Sequence, residues 1–343
     1  MPRVSVIMNV RNGGPYLREA LDSVFAQTFR DWEIILWDDR STDDSAKIAA
    51  QYRDDRIRYF LSPEDTPLGR ARDLAMRQAK GEWLAFLDQD DIWLPHKLER
   101  QMALANQEPK AGLIYGRTVM FGAGRERDFD HRHEFQPLPE GDIFARLFID
   151  SCFISMSSAA FRRTPVEEIG GIPDAIQVIP DYYLCIALAR KYPARAVQEV
   201  VCRYRMHAGS LTNLAASRMQ QEIVSLIEVW APQLDQLLVA HRRRVHYTVW
   251  AFAEMQHLGT LGRGLLRLLT AGSVTYFLSR PIARAFRAVR RRLCRPYWLA
   301  SGGRHGAENI ASGIAAIDGG PPAPVHQAQR TGHRAEAGRP RPS

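Results

Sequence analysis

Cysteine is scarce in this 343-residue chain, with Cys152, Cys185, Cys202 and Cys294 scattered and none in CxxC or CxxH spacing. That pattern argues against a disulfide framework or a zinc site and fits a reducing cytosol. Long apolar runs are missing too, since no stretch reaches the roughly 18 uncharged apolar residues needed to cross a bilayer. The opening MPRVSVIMNVRNGG has an apolar run too short for a signal peptide and no small-residue cleavage site. No repeat of fixed period is present. Secreted, collagen-like, disulfide-rich and membrane-spanning classes therefore fall away. What remains is ordinary globular material, 45% hydrophobic and 24% charged, long enough for one large domain plus something smaller.

Charge divides the chain in two. The formal excess is +8 overall, but residues 1–212 carry 28 basic and 31 acidic side chains, leaving 18 basic and 7 acidic beyond. The first part has the balance of a soluble enzyme. The second sets Arg beside apolar residues, with RRR at 242–244 and again at 290–292. Such a segment suits either an interfacial helix on an anionic bilayer or an amphipathic helix packed on the first domain with a solvated basic face. No DNA or RNA recognition motif accompanies the Arg clusters, so nucleic acid is not an expected partner.

Along the first part, apolar runs and helical patterns alternate at short intervals. VSVIMNV (4–10), WEIILW (32–37), RIRYFL (56–61) and EWLAFL (82–87) read as buried strands. Helices are expected over 16–27, 41–52 and 68–80 between them. This is the pattern of a doubly wound open sheet. Further strands are expected at 112–121, 151–161 and 196–205, with a helix at 182–192 and a loop over 122–140. From 217 to about 299 helices are expected, and 301–343 reads as disordered. The expected domains are thus 1–212, 213–300 and a tail, 301–343.

In an open α/β sheet, ligands bind beyond the carboxyl ends of the strands. Polar groups gather there: Asn9, Arg11 and Asn12 after the first strand, Asp38 and Asp39 after the second, Asp88, Asp90 and Asp91 after the fourth. One such Asp is usually a helix cap. Several carboxylates on one rim repel one another unless a cation or a donor-rich ligand shares the site. In DQDD (88–91) the carboxylates stand at i and i+2 of a tight turn, and a hard divalent ion needs only one or two of them when ligand phosphates complete its shell.

The segments VSVIMNVRNGGPYLREALDSVFAQTFRDWEIILWDDRSTDDSAKIA, LGRARDLAMRQAKGEWLAFLDQDDIWLPHKLE and PDYYLCIALARKYPARAVQEVVCRYRMHAGSLT, in this order, resemble the inverting glycosyltransferases of the GT-A fold, family 2. The resemblance covers about the first 212 residues. It implies an α/β, Rossmann-like, doubly wound mixed sheet followed by a helical C-terminal region. It implies a nucleotide-diphosphate sugar donor, UDP-sugar favoured, held by Asn9, Arg11, Asn12, Asp38, Asp39, Arg72 and Asp88. Asp39 matches the base-reading position. Arg11 stands where the family often has Tyr, and Asp73 where it usually has Asn. Mn2+ or Mg2+ would be held by Asp90 with Asp88, and by His207 in the terminal Arg-x-His element. Asp181 matches the catalytic base, preceded by Pro180 in place of the usual acidic residue.

The activity so implied is transfer of a sugar to a hydroxyl of a cell-surface glycan or lipid-linked acceptor, in the cytoplasm or at the inner face of the cell membrane. Two alternatives stand beside it. A sugar nucleotidyltransferase also uses an α/β sheet and acidic metal ligands, although RNGGPY is a poor glycine-rich phosphate loop. A non-catalytic membrane-surface scaffold could keep the fold without turnover.

Overall fold

The computed structural model describes residues 1–122, 127–128, 137–150, 152–207, 209, 215–234, 236, 239–240, 242–243 and 246. The expected helices beyond 246, the expected tail and most of the 122–140 loop lie outside the described residues.

Four strands form a parallel half-sheet: β1 (Val4–Val10), β2 (Trp32–Asp38), β3 (Ile57–Leu61) and β4 (Trp83–Phe86). β1 lies between β2 and β4, with β3 on the outer flank. Beyond β4 the sheet turns mixed. β8 (Ala160–Arg162) runs antiparallel to β4, followed by β6 (Leu113–Phe121), β9 (Ala194–Arg205) and the short β5 (Ile92–Trp93). β7 (Arg127–Asp128) pairs with β6 off this path. The doubly wound mixed sheet expected from the sequence is the one observed.

Alternation along the strands sorts the core onto two faces. Val4, Val6, Met8, Ile34, Leu36, Trp83 and Ala85 pack with Leu17, Leu21 and Val24 of α1 (Leu17–Phe25) and with Leu98 and Met102 of α4 (Lys97–Gln107). Ile7, Ile35, Leu84 and Phe86 face the other way, against α3 (Leu68–Met76) and α7 (Pro180–Ala189). By the same parity Asn9 and Asp88 point toward α3 and α7. A later helix, α8 (Ala216–Trp230), adds Leu226, Ile227 and Trp230 to that second core.

Two elements are shorter than their sequence patterns, for local reasons. The helix expected over 41–52 is confined to α2 (Ser45–Ala49). Ser41, Thr42 and Asp43 instead bind the loop after β1: the Asn12 amide donates to Ser41 Oγ at 3.0 Å and the Gly14 amide to Asp43 Oδ2 at 2.8 Å, while Thr42 N donates to Asn12 Oδ1 at 2.8 Å. The strand expected over 151–161 survives only at β8. Ahead of it Met156–Ser158 form a 3-10 turn in which Ser158 donates to the Ser155 carbonyl through both its amide and its hydroxyl. Such serine back-bonding competes with a sheet ladder.

Candidate active site

The site occupies the carboxyl ends of β1, β2 and β4, where loops from distant chain positions are laced together. The Gln89 side chain clasps the Arg11 backbone in both directions, accepting from its N–H at 2.9 Å and donating to its carbonyl at 3.2 Å. That ties the DQDD turn to the loop after β1. Asn12 and Arg40 both hold left-handed backbone, at φ 53° and 58°. Strain of that kind persists only where the surroundings enforce it.

Asp38 and Asp39 are both buried but differ in what they bind. Asp38 accepts from Ser41 N at 2.7 Å and from Tyr59 Oη at 2.7 Å, so each oxygen already braces the turn after β2. Asp39 accepts from the amide and hydroxyl of Thr66 through Oδ1, and pairs with the exposed Arg11 guanidinium through Oδ2 at 2.8 Å. Asn9 supplies an unusual feature. Its side-chain oxygen and nitrogen are both shielded from solvent and have no hydrogen-bond partner among the described residues. Most buried polar groups are paired, so this amide at the end of β1 keeps hydrogen-bonding capacity that the described residues do not use.

The acidic turn after β4 is held from below. Asp91 is fully buried and accepts from Ser157 Oγ at 2.6 Å and from Arg205 N at 2.9 Å, while Ser157 Oγ accepts from Asp88 N at 3.1 Å. Arg205 also donates to the Asp90 carbonyl at 2.8 Å. These bonds fix the end of β9, and with it His207, beside the turn. His207 Nε2 lies 2.8 Å from Asp90 Oδ2. Desolvation, and next the charge of Asp88, pushes the Asp90 carboxyl above its ordinary value.

Arg72, nearly inaccessible on α3, forms an ion pair with Asp88. The same guanidinium acts electrostatically on Asp181, in the first turn of α7. Burial raises the Asp181 carboxyl; Arg72 pulls it back down, and Asp88 adds to the rise. Asp181 is not the cap of its helix: the N-cap position is Ile179, and the carboxylate accepts from the adjacent Tyr182 N–H at 2.8 Å. Asp88, Asp90, Arg72 and Asp181 therefore share one electrostatic neighbourhood, while Asp39 pairs with Arg11, whose backbone Gln89 ties to the same turn. Trp93 and Tyr182 are packed in the core.

Among the described residues no group of three or more His, Cys, Asp or Glu side chains is arranged to hold a metal unaided. Asp90 with His207 is nonetheless a pair whose carboxylate oxygen and imidazole nitrogen could serve as metal donors. A desolvated carboxylate beside a second carboxylate gains from a divalent ion, and Mg2+ or Mn2+ keeps open positions for phosphate and water.

Sequence reasoning missed Gln89, Ser157 and Thr66 as organisers, and found Arg205 only as part of the Arg-x-His element. The bonds of these four span 27 to 115 positions along the chain, and local composition signals none of the first three.

This fold, with an acidic turn at the strand ends and a desolvated carboxylate opposite, is that of a GT-A glycosyltransferase. The model for glycosyl transferase family 2 matches residues 5–170. An uncharacterized glycosyltransferase of Rickettsia typhi is 30% identical over 227 residues, covering 64% of this chain and 69% of that protein. WfaP of Escherichia coli, a UDP-Glc:alpha-D-GlcNAc-diphosphoundecaprenol beta-1,3-glucosyltransferase, is 32% identical over 213 residues, covering 62% and 80%. The chain belongs to glycosyl transferase family 2 and is a glycosyltransferase.

Solved structures agree on the fold. TarS of S. aureus in complex with UDP-GlcNAc superposes with TM-score 0.59 at 14% identity, over 92% of this chain and 91% of that one. PcManGT of Pyrobaculum calidifontis, a mannosyltransferase in complex with GDP-Man and Mn2+, gives 0.54 at 18%, over 91% and 87%. Among the described residues no helix is long and apolar enough to cross a membrane.

Proposed function

We propose that the enzyme moves a sugar from a nucleotide-diphosphate sugar, with UDP favoured, to a hydroxyl of a cell-surface glycan or lipid-linked acceptor, inverting the anomeric centre in one displacement. The observation that carries this reading is the shared neighbourhood of Asp88, Asp90, Arg72 and Asp181. The relatives support it: WfaP is named for UDP-Glc and a diphosphoundecaprenol acceptor, and the two structural neighbours were solved with UDP-GlcNAc and GDP-Man. Family membership favours transfer over the nucleotidyltransferase and scaffold alternatives.

In this account Asp39 reads the base N–H, Arg11 stacks on the base, and Asn9 spends its idle amide on the nucleoside. Asn12 and Asp38 shape the pocket by holding the two loops. Arg72 binds near the diphosphate while offsetting the repulsion between Asp88 and Asp181. Asp90 and His207, supported by Asp88, would hold Mn2+ or Mg2+ together with the donor's phosphate oxygens. When bound, such an ion supplies positive charge against the departing nucleoside diphosphate.

Asp181 accepts the acceptor's proton during attack. An alcohol is too weak an acid to ionise beforehand, and a desolvated carboxylate is a stronger base than one in water. The Arg-rich sequence beyond 240 and a lipid-linked acceptor together favour a cytoplasmic enzyme lying on the inner face of the membrane.

Asp181→Asn tests the base. General-base catalysis contributes about 10²–10⁴-fold, so turnover should fall by that much while affinity for UDP is kept. Undiminished turnover, or a product that retains the donor's anomeric configuration by NMR, would overturn the proposal.

A further inference from the structure

Glu222, on α8, is fully buried and lies beyond residue 170, where the family-model match ends. It gathers three successive backbone amides: Gln177 N at 3.1 Å from both oxygens, Val178 N at 2.9 Å and Ile179 N at 3.2 Å from Oε2. Arg218, one turn back on the same helix, donates to Oε1 at 2.9 Å. These amides belong to the segment that enters α7, and Asp181 follows two residues after Ile179. The α7 N-terminus offers no side-chain cap of its own. Three N–H groups converging on one point form an anion-binding nest at the positive end of a helix. Here the anion comes from the chain itself, 43 to 45 residues further on.

The opposite side of the same segment is gripped by α3. Gly69 N donates to the Gln177 carbonyl at 3.1 Å, and a Cβ on Gly69 would lie 1.8 Å from the Ile176 carbonyl oxygen. Residues 176–179 are thus held between Glu222 and the helix that carries Arg72. Their placement sets the separation of Arg72 from Asp181.

We infer that Glu222 is a positioning residue for the catalytic base, linking the helical region after 215 to the chemistry. The inference rests on the assignment of Asp181 as base. Glu222 never meets the substrate. It fixes the entry into α7 so that the carboxylate of Asp181 stands ready for the acceptor hydroxyl. Misplacement of a reacting group by about 1 Å can cost on the order of 100-fold in rate.

Glu222→Gln keeps the shape, removes the charge and presents an N–H donor pair to amides that are donors too. The assay is hydrolysis, with Mn2+ present, of whichever of UDP-glucose, UDP-N-acetylglucosamine and GDP-mannose the wild type cleaves fastest, water serving as acceptor. We expect kcat to fall about 10- to 100-fold with the donor KM and the Kd for UDP unchanged. A structural defect would instead lower binding and turnover together, which would overturn the inference, as would wild-type kcat. Arg218→Leu, which releases the carboxylate from one side, should show the same split more mildly and decides the matter if Glu222→Gln does not fold. Asp181→Asn run in parallel separates the two layers. Wild-type turnover there removes the base itself, whereas a slow Asp181→Asn with a wild-type Glu222→Gln removes the positioning role alone.

Discussion

Replacing Arg72 by Met tests whether a buried guanidinium keeps the acidic rim from flying apart. The side chain of Arg72 is 5% exposed and that of its partner Asp88 32%. Removing one member of a buried ion pair costs about 3–5 kcal/mol, because the other is stranded. Asp88 is partly hydrated, which places the cost at the lower end, about 3 kcal/mol. At about 2–4 °C of Tm per kcal/mol for a domain of this size, the melting temperature should drop by roughly 6–12 °C. A second effect has its own sign. Arg72 lowers the Asp181 carboxyl that burial raises, so without it Asp181 holds its proton to higher pH. The acid limb of the kcat profile should move upward. Differential scanning fluorimetry reads the first effect and a pH–rate series the second. An unchanged Tm together with an unchanged acid limb would refute the reasoning.

Two further substitutions probe the scaffold. Gly69→Ala would drive a methyl group against the Ile176 carbonyl, 1.8 Å from its oxygen, so the urea midpoint should fall; overpacking of this kind costs about 1–3 kcal/mol, and an unchanged midpoint would contradict the close approach of α3. Lys97 is buried, with Nζ 2.7 Å from Gln101 Oε1 and 4.0 Å above the Trp93 ring, and burial pushes its pKa down to about 7 from 10.5. Between those values the unfolded chain binds a proton that the folded chain does not, so stability rises with pH by about 1.4 kcal/mol per unit and is lost as pH falls toward 7. Lys97→Met should flatten that slope in denaturation series from pH 7 to 9; a slope equal to wild type would show that Lys97 is charged in the fold.

The parallel half of the sheet is legible because β1, β2 and β4 are predominantly apolar runs, broken only by polar residues such as Ser5 and Glu33, that end in polar groups, a contrast that survives without any knowledge of neighbours. The same contrast marked Asp39, Asp88 and Asp90. Local chemistry also misled where serines were involved. SCFISMSS reads as a strand by hydrophobicity, yet the Ser158 amide and hydroxyl both donate to the Ser155 carbonyl in a 3-10 turn. Asp38 and Asn12 read in sequence as ligands for a donor; in the fold they also brace the rim, Asp38 through Ser41 N and Tyr59 Oη, and Asn12 by accepting from Thr42 N across the two loops. Glu222 carried no signal at all. An acidic residue on an amphipathic helix is ordinarily solvated, and only the fold brings it against the amides of 177–179.

The central claim is that carboxylates distant in sequence form one pocket for a cation-bridged pyrophosphate. Calorimetric titration of UDP into the full-length protein, with Mn2+ and again with EDTA, addresses it directly. The account predicts saturable binding that requires Mn2+ and disappears in Asp90→Ala. Equal affinity in EDTA, or an Asp90→Ala variant that binds as the wild type does, would contradict it.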